Sequence, residues 1–219
     1  MSLAKVPTIR ALSWPVTTAI ALNLIPVIGV LFWGWSAFAL IFLYWLENLV
    51  VGLRTLASMF AAAFATGGMN WLGALFFGAF FTFHYGLFCF GHGVFVILLF
   101  GQGTVAVGDN PLDLAAAALA LFEQQQNLLV GFASIVGWQA VQFVLWLRRG
   151  EARRSNVLEL MGSPYPRIIT LHAAIIFGGF LLMLLNQPVW GLVVLTLAKM
   201  AYDVADAAKQ MKPVAANEA

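Results

Sequence analysis

The chain has 219 residues, 62% of them hydrophobic and 9% charged, with a formal net charge of +2 and a mean hydropathy of +0.91. A soluble domain carries roughly 25% charged residues, so this composition lacks the polar surface that coats a water-soluble globule. The length suits one compact bundle and leaves no room for a second domain, and a lone cysteine, Cys89, excludes an intrachain disulfide and a CxxC metal site.

Six apolar segments follow in chain order: Leu12–Gly34, Ala37–Ala65, Trp71–Phe100, Leu128–Leu147, Ile168–Leu185 and Val189–Ala208. Each approaches or exceeds the ~20 residues that a spanning helix needs, and the second and third are long enough to tilt or protrude. The expected fold is therefore all-α, an integral membrane bundle of six transmembrane helices in a single domain over residues 1–212. Residues 213–219 form a tail, since Pro213 ends the last helix. Met1–Arg10 is short and polar, with no small-residue cleavage site after the first apolar stretch, so that stretch reads as a retained helix.

The links add detail. Gly34-Trp35-Ser36 and Asn186-Gln187-Pro188 are tight turns that make antiparallel hairpins of segments one and two, and of five and six. Gly101–Asn127 is the longest loop, in which Pro111-Leu112-Asp113 opens a short surface helix over Leu114–Phe122. Arg148–Pro166 reads as a polar, basic loop. The third segment interleaves Gly with Phe, a pattern that suits close helix packing or a groove for a lipid tail, quinone or flat cofactor.

Orientation follows from the basic residues. Of 11 Lys and Arg, Arg54 and Lys199 lie inside apolar segments, and the remaining nine are Lys5, Arg10, Arg148, Arg149, Arg153, Arg154, Arg167, Lys209 and Lys212. With six spans all nine fall on one side, and the opposite loops carry Asp109, Asp113 and Glu123. The positive-inside rule then places both termini in the cytoplasm. The expected location is a bacterial inner membrane, with the bilayer as first partner, a lipid or small hydrophobic ligand as second, and no nucleic acid.

Ionisable groups inside apolar spans are the functional signal, because a charge at the bilayer centre costs at least ~2.5–3.5 kcal/mol. Seven lie well inside: Glu47 and Arg54, His84 and His92, His172, Lys199 and Asp203. Counted from the outer helix ends at 1.5 Å per residue, Glu47, His92 and Lys199 share a layer ~12–15 Å deep. Arg54, His84, His172 and Asp203 share a second at ~20–26 Å. Two readings use these residues differently. Salt bridging pairs Glu47 with Lys199 and Arg54 with Asp203, which keeps the charges tolerable. A metal reading takes Glu47, His84, His172 and Asp203 as ligands of a divalent ion, most plausibly zinc, which accepts imidazole and carboxylate. His92 and Asn48 then orient the ligand from behind, with Arg54 and Lys199 nearby. Haem is the alternative cofactor, with His84 and His172 matched in depth as axial ligands.

The strings Tyr44-Trp45-Leu46-Glu47-Asn48, followed by Gly52, and Phe83-His84-Tyr85-Gly86, with His92 downstream, resemble the signatures of a family of bacterial polytopic membrane proteins classed only as a domain of unknown function. The resemblance implies a multi-helix inner-membrane protein and brings no activity. It singles out Glu47, Asn48, His84 and His92, with Tyr44 at the head of the first string. Three functions compete: a metal-dependent intramembrane enzyme acting on a lipid; a transport or binding protein that uses ion pairs and histidines for a proton or small ligand; and a haem- or pigment-binding or accessory subunit of a larger complex.

Overall fold

The computed structural model describes residues 25, 28–29, 32–68, 70–101, 110, 112–169 and 172–173. Most of the first segment, nearly all of the fifth, the whole of the sixth and the tail lie outside the described residues, and with them Lys199 and Asp203. The described residues are helical, without strands: α1 Ala37–Thr66, α2 Asn70–Phe100, α3 Leu114–Gln124, α4 Leu128–Arg148 and α5 Val157–Gly162. A single 3-10 turn, Glu151–Arg153, links α4 to α5. Residues 165–169 are helical again, as are 172 and 173.

Local chemistry explains the ends. Ser36 caps α1 by accepting from the Ala39 N–H at 3.1 Å, which satisfies one of the orphan donors of the first turn. At the other end Gly67 (φ 66°) donates its N–H to the Ala63 carbonyl at 2.8 Å, and Gly68 (φ 61°) continues the reversal. Both lie in the left-handed region that a side chain disfavours, so this Gly-Gly pair turns the chain from α1 into α2. Asp113 caps α3 through the Ala116 N–H at 2.9 Å. These bounds agree with the second, third and fourth apolar segments and with the short helix after Asp113.

Three helices, α1, α2 and α4, are long and apolar enough to cross a membrane. Their most apolar stretches are only 39%, 33% and 17% buried, so the greasy surface faces outward. Phe32, Phe64, Phe76 and Phe83 are all more than two-thirds exposed. Large apolar side chains turned outward around a helix pair are the mark of a membrane protein, since in water such surface drives association.

Arg148–Pro166 is not a plain polar loop. Val157, Leu160, Met161 and Tyr165 recur at helical spacing and pack on Met59, Ala63, Ala74 and Phe81 of α1 and α2. The segment was too short and too flanked by charge to stand out as apolar, yet its periodicity docks it against the first helix hairpin.

The α1–α2 contact is close because glycines face rings. A Cβ at Gly93 would lie 2.7 Å from the Trp45 indole, and one at Gly52 would lie 2.5 Å from the Tyr85 ring. Each ring is also tied at its polar tip: Trp45 Nε1 donates to the Cys89 carbonyl at 2.7 Å, and the Tyr85 hydroxyl to the Asn48 carbonyl at 2.8 Å. Two apolar clusters result. One gathers Phe38–Leu46 with Val96, Ile97, Ala117, Leu121 and Leu128. The other gathers Met59, Ala63, Phe81, Tyr85, Cys89, Val157 and Ile168. Glu47, Asn48 and His92 are buried between them in sequence order.

Gly93→Ala should therefore destabilise the protein even though alanine favours helix by ~1 kcal/mol, because overpacking against a tethered indole costs ~1–3 kcal/mol. Gly86→Ala meets nothing within 4 Å and should be neutral or stabilising. Thermal unfolding of the two variants in detergent should separate them by about 2 kcal/mol.

Candidate functional site

The site is built by a short helical stretch leaning on α1 and α2. Tyr165 and Ile168 stand at i and i+3 on one helix face, and His172 follows four positions later. Arg167 sits beside that face and is long enough to reach α1. Going along this stretch, Tyr165 meets His84, Arg167 meets Glu47, and His172 meets His92.

The central contact is an ion pair. Arg167 and the Glu47 carboxylate lie 2.5 Å apart, with side chains only 14% and 6% exposed. Glu47 is the eleventh residue of α1, ~15 Å along the helix from its start. A lone carboxylate there would be costly, and a guanidinium answers it with a charge-assisted bond in poor solvent. Asn48 is buried next to it; its backbone carbonyl takes the Tyr85 hydroxyl, and its Oδ1 has no hydrogen-bond partner among the described residues. Tyr44, one turn earlier, is 1% exposed.

Towards the Thr66 end of α1, His84 Nδ1 and the Tyr165 hydroxyl lie 2.9 Å apart, and Phe80 stacks on the imidazole with 9° between the planes. Towards the Ala37 end, His92 and His172 meet edge to face, with ring centroids 4.9 Å apart and 81° between planes. Phe88 and Phe95 flank His172. His92 is 4% exposed, and neither its Nε2 nor His172 Nδ1 has a hydrogen-bond partner among the described residues.

Several expected groupings are rearranged. His172 does not share a layer with His84: it packs on His92, whereas His84 meets Tyr165, seven positions earlier in the sequence, so the two do not pair as axial ligands. The depth count for His172 runs from Leu185, a helix end that lies outside the described residues. Arg167 is not a loop cation but the partner of Glu47. Arg54 hydrogen-bonds Gln142 of α4, not a residue of α2, although Glu47 and Arg54 share a face of α1 by spacing. The described residues contain no group of three or more His, Cys, Asp or Glu side chains placed to hold a metal ion. Glu47, His84 and His172 each have a separate neighbour, while Asp203 and Lys199, and hence the pairings assigned to them, lie outside the described residues.

Sequence reasoning missed Arg167, Tyr165 and Gln142. The available signal was the helical register that runs from Val157 through Tyr165 to His172 across the presumed loop.

The profile of a family of unknown function, DUF6498, matches residues 5–219. The chain belongs to that family. No curated protein and no solved structure matches it significantly. The family match covers the α1 and α2 strings and the stretch that supplies Tyr165, Arg167 and His172 alike.

Truncating one member of a buried ion pair leaves the other charge uncompensated and costs ~3–5 kcal/mol. Glu47→Ala should accordingly lower stability by that order. Adding Arg167→Ala should recover part of the loss, so a double-mutant cycle on thermal unfolding should give a coupling well above 0.5 kcal/mol, the usual scatter for independent sites. Additive losses would contradict the pair.

Proposed function

We propose that this protein is a multi-pass membrane protein that binds and passes a proton, or a small polar ligand coupled to one, along the polar column Tyr165–His84, Arg167–Glu47 and His172–His92. The observation that carries this reading is the Glu47–Arg167 pair within an apolar helix, flanked on both sides by histidines. Buried ionisable residues on spanning helices mark ion pathways and proton relays. Imidazole takes a proton at one nitrogen and releases one from the other, with an unperturbed pKa near ~6.5. From Tyr165 to Arg167 the helix rises ~3 Å, a gap that side-chain reach covers. A divalent ion on Glu47 is less favoured, because the Arg167 guanidinium already occupies that carboxylate and repels a second cation.

In proteoliposomes under a potassium-diffusion potential, the protein should raise proton flux above that of protein-free vesicles. Glu47→Gln should lower the added flux at least tenfold. Flux equal to that of empty vesicles would refute the relay.

Zinc is a second reading because of one observation: His92 Nε2 and His172 Nδ1 are buried on touching rings with no hydrogen-bond partner among the described residues. Two neutral imidazoles are ligands that zinc accepts, and a water on such an ion becomes a hydroxide source for attack on a lipid ester. Titration of protein purified without chelators decides: one zinc per chain, lost in His92→Ala, favours the metal; no uptake favours the relay.

The topology proposed with this function is six spans in an inner membrane, both termini cytoplasmic. Moving Arg167 into the bundle leaves eight flanking Lys and Arg of the 11 in the chain, still all on one side. Reporter fusions at Asp109 and Arg153 should report opposite sides.

A further inference from the structure

At the Thr66 end of the α1–α2 hairpin lies a polar cavity of about 220 Å³, lined by Thr66, Asn70, Arg153, Arg154, Ser155, Asn156 and Val157. Its free hydrogen-bonding capacity is almost all donor. The Thr66 and Ser155 hydroxyls already donate to the Ala62 and Glu151 carbonyls, and Asn156 Oδ1 already accepts from the Leu158 N–H. Asn70 Nδ2 gives one hydrogen to Thr66 Oγ1 and keeps another. What remains is the second Asn70 N–H, the Asn156 amide nitrogen and the two guanidinium groups, each with five N–H donors in a planar fork, against the Asn70 carbonyl as the main side-chain acceptor. Neither Arg153 nor Arg154 has an ion pair among the described residues, and no carboxylate lines the cavity. The adjacent Glu151 carboxylate lies 3.7 Å from Arg149 instead.

The helix ends that line this cavity also carry greasy surface, and Trp71 packs on the cluster that holds Val157 of its lining. Phe64 is 76% exposed and meets Trp71 edge-on at 4.9 Å, and Leu72 is 65% exposed. A donor-rich cup with an aromatic and aliphatic lip, at the end of two helices fit to cross a membrane, matches a molecule with an anionic head and an apolar tail. We infer that this cavity binds the phosphate of an anionic phospholipid, with Arg153 and Arg154 on the phosphate oxygens and the acyl chains along Phe64, Trp71 and Leu72. The site is separate from the polar column and does not depend on the function assigned to it. Basic pockets at the cytoplasmic ends of spanning helices hold such headgroups, and the positive-inside orientation puts this one in the leaflet that carries anionic lipid.

Native mass spectrometry of the full chain in detergent, titrated with phosphatidylglycerol or phosphatidylcholine, tests the inference. The protein should prefer phosphatidylglycerol, and Arg153→Gln and Arg154→Gln should each weaken that preference about 5-fold. Arg148→Gln with Arg149→Gln removes twice the charge of either single variant close by and should leave it intact. An equal loss in that control, or no preference in the wild type, would overturn the inference in favour of a general basic surface. Complete displacement of the lipid by millimolar inorganic phosphate would overturn it in favour of a free-phosphate site.

Discussion

A carboxylate within an apolar helix needs a cation that the chain itself delivers, and Glu47 obtains one from Arg167. That requirement shapes the rest of the described structure. The chain leaves α4, makes the 3-10 turn at Glu151–Arg153, and returns along the hairpin through α5, so that Arg167 arrives beside Glu47. Apolar contacts from Val157, Leu160, Met161 and Ile168 hold the approach. In lipid surroundings no water substitutes for the guanidinium, which makes its position a condition of folding rather than an ornament of the surface.

The hairpin that receives this segment is rigid for a related reason. Lipid tails are as apolar as leucine, so helices in a bilayer associate through close packing and hydrogen bonds rather than through expulsion of water. Gly52 and Gly93 supply the close approach, and the rings of Tyr85 and Trp45 fill it. The polar tips of those rings then bond backbone carbonyls on the opposite helix. Each of these aromatics satisfies a buried donor while fixing the register of α1 against α2. Register in turn sets Glu47 and Asn48 between the two apolar clusters.

Function follows from what this leaves available. Trp45 and Tyr85 are committed to structure, and Arg54 hydrogen-bonds Gln142 of α4. Open chemical capacity gathers on the histidines and on Asn48, next to an ion pair whose charges balance. The guanidinium beside that carboxylate opposes tight capture of a divalent cation there. The donor-rich cavity lies apart from this column, at the Thr66 end of α1.

Much was legible in the sequence because it depends on local terms. Hydropathy over about 20 residues marks α1, α2 and α4 to within a residue or so, and the capping chemistry of Asp113 marks α3. The cost of burying charge singled out seven residues, of which Glu47 and His92 are buried, His84 is exposed, and Lys199 and Asp203 lie outside the described residues. Partners were not legible, because pairing depends on how far each element slides along its neighbour. A depth count is blurred by tilt and by the placing of helix ends, and an offset of a turn or more is enough to exchange His84 for His92 as the neighbour of His172. Arg167 looked like one more cytoplasmic cation because charge counting has no term for a chain that folds back on itself. Only the tertiary structure, by packing the weak helical register of residues 157–168 against α1 and α2, turned that loop cation into the counter-charge of Glu47.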